Sequence, residues 1–209
     1  MTRPLLISDC DEVLLHMVAH FAEWLDEEHE VHFDLESGQF ADALTDRRTG
    51  ATLQPDRVWP LLDTFFGDEM HRQTLVPGAL EALTRIGEVA DIVILTNLGD
   101  EAHGWRVDQL AGHGIRHEVV CNRGGKGRRV REIVGRRDAP SAVFIDDLAV
   151  HHSSVAAQAP DVWRLHMVAE PRLARAVPPA EDAHARIDEW PAACEWILDR
   201  FEDKEVGGR

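Results

Sequence analysis

Five short stretches of the chain are mostly apolar and rich in Val, Ile and Leu: residues 5–8, 90–95, 117–121, 141–145 and 162–168. The second and fourth are almost unbroken, the pattern of a strand covered on both faces in a parallel sheet. Helix-period segments lie between them. Residues 77–86 place Leu80, Leu83 and Ile86 at helical spacing, and residues 127–134 do the same with Val130, Ile133 and Val134. Residues 150–159 form a third, less amphipathic segment. Strands alternating with helices of this length predict βαβ units and an α/β fold.

One interval breaks that rhythm. About 80 residues separate the first strand from the second, where a simple crossover needs ~30. The surplus opens with an amphipathic helical pattern, Val13, Leu14, Met17, Val18, Phe21, Trp24 and Leu25. A turn-rich, charged middle follows over residues 37–55, then Val58, Trp59, Leu61, Leu62, Phe65 and Phe66. Residues 16–74 therefore read as a small, mostly helical insertion over one end of the sheet, with residues 1–15 and 75–201 forming the sheet domain. Residues 188–201 read as a closing helix, and the polar 202–209 as a frayed tail.

Composition narrows the function classes. Acidic residues outnumber basic ones 38 to 22, a formal charge of −16, which disfavours nucleic acid as a partner. A small anionic substrate stays open, because it responds to the local field of a cleft. No apolar run approaches the roughly 18 residues a membrane helix needs. The run Leu5-Leu6-Ile7 is too short for a signal peptide, so no membrane or secretory destination is expected. Cys10, Cys121 and Cys194 form neither a zinc pattern nor a disulfide framework, and a reducing cytoplasm is the expected compartment.

Polar residues gather where the predicted strands end. The first strand runs into Asp9-Cys10-Asp11-Glu12-Val13, two carboxylates at the edge where open α/β sheets bind ligands. The same letters also suit a solvated acidic turn. The second strand ends at Thr96-Asn97, which can hold a phosphate oxygen or cap the next helix. After the third comes Gly124-Gly125-Lys126-Gly127, a lysine among glycines at a helix start, suited to an anion or simply to a basic helix face. The fourth ends at Asp146-Asp147, a costly pair after a buried strand unless a cation or hydrogen bonds hold it. Oxygen-only ligation points to Mg²⁺ rather than zinc.

Taken together and in this order, Asp9/Asp11/Val13, Thr96, Lys126 and Asp146/Asp147 resemble the haloacid dehalogenase superfamily of phosphohydrolases, whose pattern is DxDx[TV], a Thr or Ser, a Lys and an acidic pair on a Rossmann-like sheet. The resemblance covers roughly residues 1–15 and 75–175, and the insertion sits where many members carry a helical cap. It implies that Asp9 is a nucleophile forming an aspartyl-phosphate. It implies that Asp11 is general acid and then base, with its backbone carbonyl on Mg²⁺. Thr96 and Asn97 would bind the phosphoryl group, Lys126 would neutralise charge beside Asp9, and Asp146 and Asp147 would serve the metal. Members that cleave carbon–halogen bonds typically lack the second aspartate, so Asp11 favours phosphate chemistry, where an alkoxide leaving group needs a proton. The implied reaction is Mg²⁺-dependent hydrolysis of a small phosphate monoester. The alternatives are a phosphotransferase such as a phosphomutase, and a non-enzymatic member that binds a phosphorylated ligand or a protein. Receiver domains share the residue types but place the acidic pair before the phosphorylated aspartate.

Some features fit the pattern less directly. Glu12 stands where many phosphatases of the family have Gly, which raises a question about the turn's backbone. Trp24, Arg47 and Trp59, with Asp46 and Arg48 beside them, are candidate substrate contacts from the insertion. His16 and His20, spaced i, i+4, are either a metal pair or ordinary cap positions. His151 is either a hydrogen-bond partner of Asp147 or a plain helix residue. Residues 123–137 hold seven basic residues and one acidic one, a substrate-steering patch or a solvated helix face.

Overall fold

The computed structural model describes residues 2–37 and 42–202. Along the chain, β1 (Leu5–Ser8) leads through a tight loop to β2 (Leu15–His16) and helix α1 (Val18–His29). There follow β3 (Val31–Phe33), β4 (Leu44–Asp46), α2 (Pro55–Thr64) and β5 (Thr74–Leu75). The chain then alternates through α3 (Ala79–Val89), β6 (Asp91–Thr96), α4 (His103–Gly112), β7 (Glu118–Cys121), α5 (Gly127–Arg137), β8 (Ala142–Asp146), α6 (Ala149–Gln158) and β9 (Trp163–His166). It closes with α7 (Pro171–Ala176), β10 (Ala185–Arg186) and α8 (Trp190–Glu202).

Six strands make one sheet in the order β10-β9-β8-β1-β6-β7, and every pairing in it is parallel. Alternate residues of each strand feed opposite cores. Leu6, Ile94, Val143, Ile145 and Leu165 pack under α3 and α8, with Leu83, Ile86, Trp190 and Ile197. Leu5, Ile7, Val93, Leu95 and Phe144 pack on the other face against Val130 and Ile133 of α5 and Val155 of α6. Burial on both faces explains the unbroken apolar runs. The sixth strand, β10, was not expected from the sequence; it is two residues long and pairs only at the sheet edge, Ala185 with Leu165 and Arg186 with His166.

β1 is central. The chain steps from it to β6 and β7 on one side, then crosses to β8, β9 and β10 on the other. Its C-terminal end is the switch point, the place where open α/β sheets bind ligands.

The insertion leaves and returns through one stem, β2 antiparallel to β5, with Leu15 opposite Leu75. It has an apolar cluster of its own: Val18, Phe21, Trp24 and Leu25 of α1 meet Val31, Phe33, Leu44, Val58 and Phe65. The segment is less purely helical than its pattern predicts. Val31–Phe33 alternates buried, exposed, buried, and pairs antiparallel with Leu44–Asp46. Three residues are too few for a period-2 signal to stand out. Of the predicted tail, Glu202 is the last residue of α8, and residues 203–209 lie outside the described residues.

Candidate active site

The strand ends assemble the site. Ser8 is level with Ile94 of β6 and Ile145 of β8, so the next residue, Asp9, emerges between the ends of both neighbours. The Asp9 amide donates to the Ile145 carbonyl at 2.9 Å, holding the two strand ends together. Lys126 arrives from the β7 side as the residue preceding α5 and is wholly buried. Its Nζ donates to Asp9 Oδ1 and to Asp146 Oδ2, each at 2.7 Å. Burial alone would lower the lysine's pKa, but Asp146 and Asp9 outweigh it and raise it, so the side chain is an ammonium.

Gly127 has a packing role. Gly127 N donates to Ser154 Oγ at 3.0 Å. A Cβ at Gly127 would stand 1.9 Å from the Ser154 carbonyl oxygen, so this glycine lets α5 close on α6.

Asp9, Asp146 and Asp147 offer carboxylate oxygens that lie within 4.8 Å of one another. Burial raises the pKa of Asp9 to about 6; Lys126 opposes this, and Asp146 and Asp11 add to it. Burial likewise raises Asp146, and raises Asp147 well above the carboxylate range with the repulsion of Asp146, Asp9 and Glu12. Three carboxylates thus crowd one ammonium, an all-oxygen donor set with surplus negative charge, which is what a hard divalent cation fits. The backbone of the acidic pair is fixed from behind. His152 Nε2 donates to the Asp146 carbonyl at 3.0 Å and His166 Nε2 to the Asp147 carbonyl at 2.8 Å. Both rings have lowered pKa values, through burial first, and His152 falls to about 4.

Thr96 ends β6 beside Asp9, fully buried, and its Oγ1 has no hydrogen-bond partner among the described residues. Such a hydroxyl is costly unless a ligand oxygen completes it. Asn97 is exposed and already engaged: its Nδ2 donates to the Gly124 carbonyl at 3.0 Å, and its Oδ1 accepts from Asn122 at 2.7 Å. His151 meets Asn97 at 3.3 Å, rather than serving Asp147 as a hydrogen-bond partner. Cys10 donates its amide to Asp9 Oδ1 at 2.7 Å, while burial pushes its thiol pKa well up, which disfavours the thiolate.

Asp11 stands apart from the carboxylate cluster. One guanidinium nitrogen of Arg106, on α4, bridges both its oxygens at 2.9 Å, and Gln73 Nε2 donates to Oδ1 at 2.6 Å. The sequence reading did not single out either partner. Arg106 carries a signal in retrospect: it sits one turn before Leu110, on the buried face of α4.

Glu12 answers the question about its turn by adopting φ +58°, the left-handed region. Its buried carboxylate accepts from the amides of Met17 and Val18, both at 2.7 Å, and from Glu170 at 3.1 Å. It thereby caps α1 and ties the insertion to the loop after β9. Burial raises its pKa to about 7 against those three hydrogen bonds. A value above the unfolded one means that its contribution is full below about pH 4 and fades as pH rises through 7. Glu12→Ala is therefore expected to lower stability by about 2 kcal/mol or more, and by more at pH 5 than at pH 8. Glu12→Gly, free of the backbone strain, should lose about 1 kcal/mol less. Thermal unfolding at the two pH values checks both statements.

The insertion's predicted substrate contacts are placed differently from one another. Trp24 is 4% exposed and packs with Phe21, Phe65 and His29, so it builds the insertion's core. Arg47 is exposed and pairs with Asp26 at 2.7 Å. Trp59 is exposed on α2. His20 has both ring nitrogens hydrogen-bonded, to Glu23 at 3.1 Å and to Thr74 at 2.9 Å, as an ordinary cap position would. The basic stretch is laced with acids: Arg123 to Glu101, Arg128 and Arg129 to Glu132, and Arg136 and Arg137 to Glu118. A cavity of about 580 Å³ opens beside the stem, lined by His16, Val76, Glu170 and Glu189 among others, away from Asp9 and Asp146.

No protein-family model matches the sequence, and neither does any curated protein. Solved structures do match the fold. A candidate HAD-hydrolase, YfnB of Bacillus subtilis, bound to magnesium, superposes with TM-score 0.64 at 12% identity, over 94% of this chain and 99% of that one. A candidate phosphoglycolate phosphatase of Lactobacillus plantarum gives TM-score 0.59 at 13% identity, over 93% and 99%. This chain has the haloacid dehalogenase-like fold. A candidate β-phosphoglucomutase of Thermotoga maritima shares that fold with TM-score 0.57 at 15% identity, over 95% and 98% of the two chains. On the haloacid dehalogenase-like sheet, the residues of the expected pattern stand at the ends of β1, β6 and β8 and just before α5.

Proposed function

We propose that this protein is a Mg²⁺-dependent hydrolase of small phosphate monoesters that works through an aspartyl-phosphate on Asp9. The observation that carries the reading is the buried Lys126 ammonium, 2.7 Å from both Asp9 and Asp146, inside an oxygen cluster at the switch point of the sheet. Phosphoryl transfer concentrates negative charge, so a carboxylate nucleophile needs cations beside it. Asp9, Asp146 and Asp147 would hold Mg²⁺, with the Asp11 carbonyl as the resemblance implies, and the ion would neutralise phosphoryl oxygens. Lys126 keeps Asp9 aligned and offsets its charge. Thr96 Oγ1 gives its unused hydrogen bond to a phosphoryl oxygen. Asp11 protonates the departing alkoxide and then takes a proton from the attacking water.

Residues 1–15 and 75–201 form the catalytic core in this reading, and residues 16–74 a cap that selects the substrate, with Arg47 and Trp59 as its exposed candidates. The three cysteines are free and buried, which suits a reducing cytoplasm. No helix among the described residues is long and apolar enough to cross a membrane. The partner is a small phosphorylated molecule and not nucleic acid.

The test is a panel of phosphate monoesters assayed with Mg²⁺. Turnover that vanishes in chelator and returns with Mg²⁺ is expected. Full activity in chelator, or restoration by Zn²⁺ alone, overturns the oxygen-ligated site. A requirement for a sugar bisphosphate would turn the reading toward a phosphomutase.

A further inference from the structure

We propose that Arg106 is a positioning residue for Asp11, and that it presents Asp11 Oδ2 to the substrate as the oxygen that moves protons. The inference rests on the phosphohydrolase reading and deepens it.

Arg106 is fully buried, yet it lies on a helix of the core, 95 residues from Asp11 in sequence. Burying a guanidinium is costly unless its hydrogen bonds are satisfied. Here they are spent on one aspartate and its surroundings. One terminal nitrogen bridges Asp11 Oδ1 and Oδ2 at 2.9 Å. The other reaches Gln109 at 3.0 Å, and Gln73 and the Cys10 sulfur at 3.3 Å each. Nε has no partner among the described residues, and the guanidinium carbon lies 5.7 Å from the centre of the Phe66 ring.

The two oxygens of Asp11 are not equivalent. Oδ1 accepts from both Arg106 and Gln73, at 2.9 and 2.6 Å. Oδ2 accepts from Arg106 alone and keeps acceptor capacity to spare. Asp11 itself is partly exposed, its side chain to 17%. The clasp fixes the rotamer and leaves Oδ2 as the working oxygen.

The clasp also spans both parts of the chain. Gln73 and Phe66 belong to the insertion, whereas Arg106 and Gln109 belong to the core. Gln109 Nε2 donates to Gln73 Oε1 at 3.1 Å and also to the Met70 carbonyl. The position of the insertion is therefore wired into the hold on Asp11.

In the first step an Asp9 oxygen bonds to phosphorus, the bond from phosphorus to the leaving oxygen breaks, and the proton on Asp11 passes to that oxygen. In the second, water attacks phosphorus, its proton returns to Asp11, and the Asp9–phosphorus bond breaks. Aligning Oδ2 matters most when the leaving oxygen is basic.

The experiment compares wild-type protein, Arg106→Met and Arg106→Lys on aryl and alkyl phosphates of graded leaving-group pKa, with Mg²⁺. For Arg106→Met, kcat/KM, which reports the step that releases the leaving group, is expected to fall about 10-fold on a nitrophenyl ester and ~10²-fold or more on an alkyl ester. Arg106→Lys, which keeps one donor, should recover part of the loss on alkyl esters. Gln73→Leu, with a milder surgery, should steepen the dependence less. Equal losses of kcat/KM across all leaving groups would overturn the positioning role even if every variant folds. Wild-type protein inactive on every ester would overturn the phosphohydrolase reading itself, and this inference with it. Wild-type turnover with parallel dependences overturns the inference alone.

Discussion

Asp9→Asn is expected to stop turnover while leaving the protein folded. Asparagine keeps the shape and an Oδ1 that can accept from Lys126 and the Cys10 amide, as Asp9 does at 2.7 Å. It cannot attack phosphorus as a carboxylate. Loss of a nucleophile in other enzymes costs roughly 10³-fold or more, and a fall of that size is expected here on every substrate. The same change should raise stability without metal. The pKa of Asp9 in the folded protein, about 6, lies above its unfolded value, so its ionised form is disfavoured by folding. The stability it contributes is full below about pH 4 and is lost as pH rises through 6. In chelator, Asp9→Asn should therefore match or exceed wild-type thermal stability at pH 8, and lose that advantage near pH 4. A dead enzyme that is more stable would mark Asp9 as a functional carboxylate held at a structural cost.

Lys126→Met is expected to act in the opposite direction on stability. It removes the buried cation bonded to both Asp9 and Asp146 and leaves three carboxylates within 4.8 Å of one another. Breaking a buried ion pair on one side typically costs about 3–5 kcal/mol. Methionine fills most of the volume, so the loss reports charge rather than a cavity. Mg²⁺ should raise the melting temperature of this variant more than that of wild type, because the ion then supplies the missing positive charge. Activity should fall to background in either case. Thermal unfolding with and without Mg²⁺ measures the first two statements, and ester hydrolysis the third.

The sequence made some of this legible and left the rest to tertiary contacts. Strands β1, β6, β7, β8 and β9 lie within a residue or two of the predicted stretches, because a strand covered on both faces must be apolar throughout. β10 left no such trace, since Ala185 and Arg186 are neither periodic nor hydrophobic as a pair. Asp9, Thr96 and the acidic pair could be picked out because a polar residue directly after an apolar run lands at the sheet edge, and Lys126 because it stands among glycines where a helix begins. Arg106 and Gln73 could not. Arg106 reads as an ordinary helix residue until α4 is docked and its guanidinium proves buried. Gln73 sits in a polar connection whose return to Asp11, 62 residues away, is set by the β2–β5 stem. Trp24 failed to indicate a pocket for a similar reason: an aromatic on an amphipathic helix can face a cleft or a private core, and here it faces the core. Glu12 shows a local rule broken to a purpose, since its left-handed backbone lets the side chain cap α1.

The central claim is a covalent phosphoryl group on Asp9, and Asp11→Asn offers the direct test. That variant keeps the nucleophile and the metal carboxylates but lacks the group that moves protons. An activated aryl phosphate needs little proton assistance to leave, whereas the attacking water still needs a base. Brief exposure of Asp11→Asn to such an ester with Mg²⁺, followed by acid quench and peptide mass spectrometry, should find phosphate on Asp9, and none in Asp9→Asn. Phosphate on Asp146 or Cys10 instead, or near-wild-type turnover in both variants with no label, would contradict the account.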